Sequence, residues 1–220
     1  MRRLSRGKES ERICVPIVER TVEKARKVVE EATPVADLIE LRLDYLRRPE
    51  ITPLMKGRRK PFIITNRRRE EGGRYGGDEE RRFEILKEAI ELGAEYVDVE
   101  MRSRGSLVQD LIANKEGTKI ILSFHDFQGT PSQRDLRDIF SRMVDLGADI
   151  IKIVTFARSW EDNFLLLSLL SHAKERRQQT VALCMGERGR MSRVFAPRMG
   201  AAWTYAPLRR DRSSAPGQLT

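Results

Sequence analysis

Short apolar runs alternate with longer amphipathic stretches along the whole chain. "ICVPIV" (13–18), "DLIELRLD" (37–44), "PFIITN" (61–66), "YVDVEM" (96–101), "KIILSFHD" (119–126), "IIKIVTF" (150–156), "TVALCMG" (180–186) and "AAWTYA" (201–206) are short and bounded by polar or turn-forming residues, and read as strands. Between them, "VEKARKVVEEA", "DEERRFEILKEAIELG", "SLVQDLIANK", "SQRDLRDIFSRMVDLG" and "WEDNFLLLSLLSHAKERR" repeat apolar positions at helical spacing. Shorter helices are predicted near "ITPLMKG" and "SRVFAPRMG". Gly93, Gly147 and Gly200 close helical patterns and read as helix stops.

Regular strand–helix alternation implies parallel pairing through helical crossovers. Eight such units predict an α/β fold, a single-domain (β/α)8 barrel of the TIM type over residues 13–220, with an open doubly wound sheet as the alternative. After the eighth strand only "PLRRDRSSAPGQLT" remains, too short and too polar for an outer helix, so the barrel is expected to lack a full final helix.

In such a barrel, reactive groups gather at the C-terminal ends of the strands. Side chains alternate along a strand, so Glu40, Arg42 and Asp44 share one face of the second strand, and Asp98 and Glu100 share one face of the fourth. The third strand exits into "NRRREEGG" (66–73), the fifth ends at His125 and Asp126, and the sixth carries Lys152 between Ile151 and Ile153. Taken singly, each has a structural explanation: an ion pair in the wall, or a satisfied histidine such as His172 on its polar helix end. Their convergence on one mouth favours chemistry. Burial disfavours a charged lysine, and a neutral amine adds to a ketone to give a Schiff base. His125, with an imidazole near pH 6.5, is then the expected proton carrier.

Composition changes this picture little. The 220 residues are 40% hydrophobic, enough for one sizeable core, and no apolar run reaches membrane-spanning length. Residues 1–12, "MRRLSRGKESER", lack the apolar stretch of a secretory signal and are read as a flexible basic N-terminus. Cys14 and Cys184 lie in apolar runs, as small buried hydrophobes would in a reducing cytoplasm. The net charge of +9 admits a nucleic-acid binder, but the basic runs "NRRRE", "KERRQQ" and "LRRDR" are scattered and carry no aromatics, so no nucleic-acid partner is expected. Charged residues make up 34% and asparagines number three, a thermophile-like balance.

The strand-end motifs together resemble the type I 3-dehydroquinate dehydratases. The resemblance runs from about residue 13 to residue 218 and is carried by "ELRLD" (40–44), "NRRREEGG" (66–73), "DVE" (98–100), "SFHDF" (123–127), "IKI" (151–153), "MSR" (191–193) and "SAPGQ" (214–218). It implies dehydration of 3-dehydroquinate to 3-dehydroshikimate in the shikimate pathway, without cofactor or metal, by a cytoplasmic homodimer. By resemblance, Lys152 forms the imine, His125 is the general acid/base, and Glu71 is its partner. Glu40, Arg42, Arg67 and Asp98 match positions that line the substrate hydroxyls or support the catalytic pair. Arg193 matches the residue that pairs with the substrate carboxylate, a task suited to a guanidinium fork. Ser214 and Gln218 match a closing loop, and Met185 and Tyr205 are expected against the substrate ring. The chain departs from the family pattern at Phe124, in the basic run Arg67-Arg68-Arg69, and in the missing final helix. Two rivals are a different Schiff-base barrel of the class I aldolase kind and a barrel that has kept binding but lost activity.

Overall fold

The computed structural model describes residues 11–220, so the basic N-terminus expected over 1–12 lies outside it except for Glu11 and Arg12. Eight strands, β1 (Ile13–Ile17), β2 (Leu38–Arg42), β3 (Phe62–Thr65), β4 (Tyr96–Glu100), β5 (Lys119–Asp126), β6 (Ile150–Phe156), β7 (Gln179–Met185) and β8 (Thr204–Tyr205), form one sheet. Its order is β7-β6-β5-β4-β3-β2-β1-β8, and every pairing is parallel. The helices α1 (Val22–Ala32), α2 (Thr52–Met55), α3 (Glu79–Glu91), α4 (Gly105–Ala113), α5 (Gln133–Asp145), α6 (Glu161–Glu175) and α7 (Arg190–Phe195) make the crossovers. This is the predicted barrel. The open doubly wound sheet is excluded, because β8 pairs with β1 and the Ala202 N–H donates to the Thr180 carbonyl at the start of β7 (2.8 Å).

Local chemistry sets the element ends. The Thr21 hydroxyl accepts the Lys24 N–H at the start of α1, and the Ser132 hydroxyl accepts the Asp135 N–H at the start of α5, each satisfying a donor that the helix leaves free. Gly93, Gly147 and Gly200 take left-handed backbone with φ of 73°, 89° and 98°, where a Cβ would be strained. The walls are buried on both faces: all residues of β2, β3 and β4 are buried. Phe83, Leu86, Leu111, Phe140, Met143, Leu166 and Leu170 fill the layer between strands and helices, each worth roughly 1.5–3 kcal/mol of transfer free energy. Trp203, fully buried, meets Tyr96 edge-on with ring centroids 5.5 Å apart.

β8 is shorter than the 201–206 predicted for it. Among the described residues the one helical turn after it is a 3-10 turn at Arg210–Arg212. This tail lies beside β1 and α1: Arg212 pairs with Glu19 (2.7 Å) and Arg209 with Glu31 (3.3 Å). Ion pairs to α1 and to the loop after β1 therefore hold the segment that the sequence predicted to be too short and too polar for an outer helix.

Candidate active site

The C-terminal ends of the strands converge on one buried network of charge. Lys152, near the middle of β6, is 5% exposed, and its Nζ donates to Asp98 Oδ2 (2.8 Å) and Glu40 Oε1 (3.3 Å). The Tyr205 ring lies 4.5 Å from Nζ at its centroid. The burial predicted from "DIIKIVTF" is there, but the lysine is not isolated: two carboxylates from β2 and β4 reach it across the barrel. Arg67 holds Asp98 from the other side, Nη2 to Oδ1 at 2.8 Å, and its Nη1 reaches Glu100 Oε1 at 3.0 Å. Burial alone pushes the Asp98 carboxyl up, but Arg67 and Lys152 outweigh it and hold it far below the usual carboxylate range. Arg42 forms a bidentate pair with Asp44, both bonds 2.8 Å. Of the three consecutive arginines, only Arg67 is buried in this network, whereas Arg68 pairs with the exposed Glu70.

His125, near the end of β5, is buried with its Nδ1 3.1 Å from Glu71 Oε2, and its backbone N–H donates to the same oxygen at 3.2 Å. Glu71 sits in a 3-10 turn (Arg69–Glu71) that Gly72 ends in left-handed backbone, φ 77°. Burial, with Glu100 adding to it against Arg67, pushes the Glu71 carboxyl up to about 7. The imidazole does not keep the ordinary value expected from sequence: desolvation first, then the positive field of Arg67 and Lys152, push it well down. At neutral pH the ring is therefore neutral, and Nε2 is the nitrogen that Glu71 leaves free for a substrate.

Arg193, on α7, is a different kind of cation. It is 4% exposed, its Nη2 donates only to the Pro216 carbonyl (3.3 Å), and its Nε has no partner. Burial pushes its guanidinium down to about 10. Arg42, Arg67 and Arg82, the other buried arginines among the described residues, all face carboxylates. The tail loop closes over this point. Gln218 Oε1 accepts the Ser214 N–H (2.9 Å), Gln218 Nε2 donates to Ser214 Oγ (3.1 Å), and the Pro216 carbonyl accepts the Gly186 N–H (3.2 Å). The loop thus carries its own internal bracing and a backbone anchor to the end of β7.

Lys152, His125, Glu71, Glu40, Arg42, Arg67, Arg193, Met185, Tyr205, Ser214 and Gln218 line one pocket of about 610 Å³ including its mouth; Asp98 lies beneath it, bound to Lys152. A separate groove, lined by Arg20, Glu23, Arg26, Arg47, Arg48 and Glu50, contains none of these residues. Phe124 points away from the pocket, with the Arg102 guanidinium 4.4 Å over its ring, so that departure leaves the site polar. His172 lies elsewhere, edge-on to Phe140 at 5.3 Å. Sequence reasoning missed Ser123, whose hydroxyl donates to Asp98 Oδ1 (2.7 Å) and accepts from Arg67 Nη1 (2.6 Å). The two-residue spacing from His125 carried that signal. Phe127 was also missed; it stacks on His125 with centroids 6.5 Å apart and covers Gly72, where a Cβ would lie 2.2 Å from the ring.

The profile of the type I 3-dehydroquinase family matches residues 13–220. The chain belongs to that family. The 3-dehydroquinate dehydratase of Methanocaldococcus jannaschii is 38% identical over 211 residues, covering 94% of this chain and 93% of that one. The corresponding protein of Thermococcus gammatolerans is 40% identical over 210 residues, 93% of this chain and 91% of that one. Among solved structures, the type I enzyme of Clostridium difficile, crystallised with covalently modified comenic acid, superposes with a TM-score of 0.87 at 25% identity, covering 96% of this chain and 87% of that one. The 3-dehydroquinate dehydratase of Geobacillus kaustophilus gives 0.88 at 28% identity, with 96% and 86% covered. A putative deoxyribose-phosphate aldolase of Coccidioides immitis gives 0.62 at 14% identity and shares the fold alone. Membership in the 3-dehydroquinase family sets aside the aldolase alternative drawn from sequence.

Proposed function

We propose that this protein dehydrates 3-dehydroquinate to 3-dehydroshikimate, a step of the shikimate pathway of aromatic amino acid biosynthesis, through a Schiff base on Lys152. The observation that carries the reading is one pocket shared by a buried lysine, a coupled His125–Glu71 pair and a buried guanidinium with no acidic partner. A cyclic hydroxyketone acid presents complementary groups to all three. Its carboxylate neutralises Arg193 and supplies the partner that burial otherwise denies it. Its ketone then meets Lys152.

The Lys152 ammonium first passes a proton to a carboxylate that it touches. The free amine adds to the ketone carbon, the hydroxyl of the adduct leaves as water with that proton, and the resulting iminium draws electrons from the neighbouring carbon. His125, neutral, takes a proton from that carbon through Nε2 while Glu71 steadies the charge forming on the ring. The electron pair expels the hydroxyl, which leaves as water with the proton that His125 has taken. Hydrolysis of the conjugated imine frees the enone and returns the lysine. Glu40, Arg42 and Asp98 face the hydroxyls or hold the amine, Arg67 orients Asp98, and Met185 and Tyr205 flank the ring. Ser214 and Gln218 exclude bulk water from the loop side. A cytoplasmic homodimer completes the reading, supported by the family resemblance and by two free, buried cysteines suited to a reducing compartment; light scattering tests the dimer.

The deciding experiment is intact mass after incubation with 3-dehydroquinate and borohydride, with peptide mapping, alongside ultraviolet detection of the enone. An adduct on Lys152 with enone production supports the reading. Enone production unchanged in Lys152→Ala refutes the imine, and an adduct without enone identifies a barrel that binds without turnover.

A further inference from the structure

α3 lies on the outside of the barrel, yet Arg82 on it is 1% exposed and turned toward the strands. Its Nη1 donates to Glu100 Oε2 at 2.5 Å and to the Asn66 carbonyl at 3.4 Å. Its Nη2 donates to Ser103 Oγ at 2.7 Å and to Glu79 Oε1 at 3.4 Å. Four acceptors from β4, the ends of β3 and β4, and its own helix therefore fix one guanidinium. Its main partner, Glu100, uses its second oxygen on Arg67 Nη1 (3.0 Å) and on the Arg68 backbone N–H (3.2 Å). Arg67 in turn holds Asp98, and Asp98 holds the Lys152 amine.

We propose that Arg82 is a positioning residue for the dehydration, acting through Glu100 to hold Arg67, Asp98 and so the lysine amine in place. The proposal rests on the functional reading above, in which Lys152 is the imine-forming group. Arg82 is absent from the pocket lining, so its effect passes through carboxylates and not through substrate contact. Charge supports the same role. Lys152, Arg67 and Arg82 face Asp98, Glu100 and Glu40, three cations against three anions in one buried chain of contacts. Without Arg82, Glu100 keeps a single cationic partner, Arg67, and that guanidinium is drawn from Asp98 toward Glu100. A guanidinium that bridges two carboxylates with separate nitrogens is a geometric clamp, and losing its far anchor loosens the near end.

The test compares wild type, Arg82→Met and Arg82→Lys by steady-state kinetics on 3-dehydroquinate, borohydride trapping and thermal melting. Misplacement of a reacting group by about an ångström costs on the order of 100-fold. In Arg82→Met, kcat is expected to fall about 10- to 100-fold while KM stays within about threefold of wild type, since no substrate contact is lost. Trapping still maps to Lys152 but accumulates more slowly. Arg82→Lys, which returns the charge to Glu100, recovers much of kcat. A lower melting temperature with kcat unchanged on the folded protein overturns the proposal and leaves Arg82 a structural residue. If Arg82→Met does not fold, Arg82→Gln replaces it: equal kcat in the Gln and Lys variants overturns the proposal, and a higher kcat for Lys supports it. Absence of a Lys152 adduct in wild type refutes the functional reading itself, separately from Arg82.

Discussion

Replacing Arg193 by methionine is expected to weaken substrate binding and strengthen the fold at once. In the free protein this guanidinium is buried with one carbonyl contact and no carboxylate. Its drop from the ordinary guanidinium range to about 10 corresponds to about 3 kcal/mol against the charged form at 1.36 kcal/mol per pH unit. The sign follows from the depressed value. Below pH 10 the residue is charged both folded and unfolded, so the cost is fully present at neutral pH and recedes only as pH climbs toward the unfolded value. Methionine removes that cost and forfeits the bond to Pro216, about 1 kcal/mol. The net gain is about 2 kcal/mol, a rise in Tm of about 4–8 °C for a chain of this size. With substrate, the balance reverses. Truncating one partner of a buried charged pair costs about 2–5 kcal/mol, which raises KM about 30-fold to several thousand-fold. Thermal melts and enone absorbance read the two effects independently. A variant that melts lower than wild type and keeps its KM refutes the assignment of Arg193 as an unpaired carboxylate receptor.

Glu71→Gln tests the coupled pair. Because burial raises Glu71 to about 7, the ionised form costs nothing below about 4.5 and about 3 kcal/mol above 7. The wild-type melting temperature should fall as pH rises through that window, and the glutamine variant should lose this slope together with the ionisation near pH 7 in its kcat profile. Gly217→Ala should leave the barrel intact but unseat the tail loop, since a Cβ there lies 2.2 Å from the Gly186 carbonyl oxygen and φ is +80°; a raised KM and faster proteolysis in the tail, with an unchanged melting temperature, are the expected readouts. Trp203→Ala removes a fully buried ring and should cost about 3–5 kcal/mol, measured by denaturant unfolding.

Most of the fold was legible because strand and helix signals are local. The helix over Val22–Ala32 and the strands over Lys119–Asp126 and Ile150–Phe156 match the predicted boundaries residue for residue. The prediction overran furthest at the eighth strand, and the reason is a pairing partner: the Ala202 N–H goes to Thr180 on β7 while only Thr204 and Tyr205 register with β1. At the second strand it overran as well, because Leu43 and Asp44 leave β2 for a 3-10 turn, where the Arg42 guanidinium holds Asp44. The site divides in the same way. Glu40, Asp98, His125 and Lys152 could be placed at one mouth because side chains alternate and parallel strands end together. Arg82 could not, since "DEERRFEILKEAIELG" reads as an amphipathic helix whose arginines belong to solvent.

The sequence by itself determined the order of the strands, the face each polar residue shares and the set of groups delivered to the mouth, because these depend on neighbours within a few residues. Only the tertiary structure decided which charge meets which. Lys152 meets Asp98 across 54 residues and Glu40 across 112, and such pairs exist only once the barrel closes. The state of each group follows from that closure. The neutral imidazole of His125, the raised carboxyl of Glu71 and the lowered guanidinium of Arg193 are consequences of desolvation and of fields from distant strands, neither of which is a property of a residue's place in the chain.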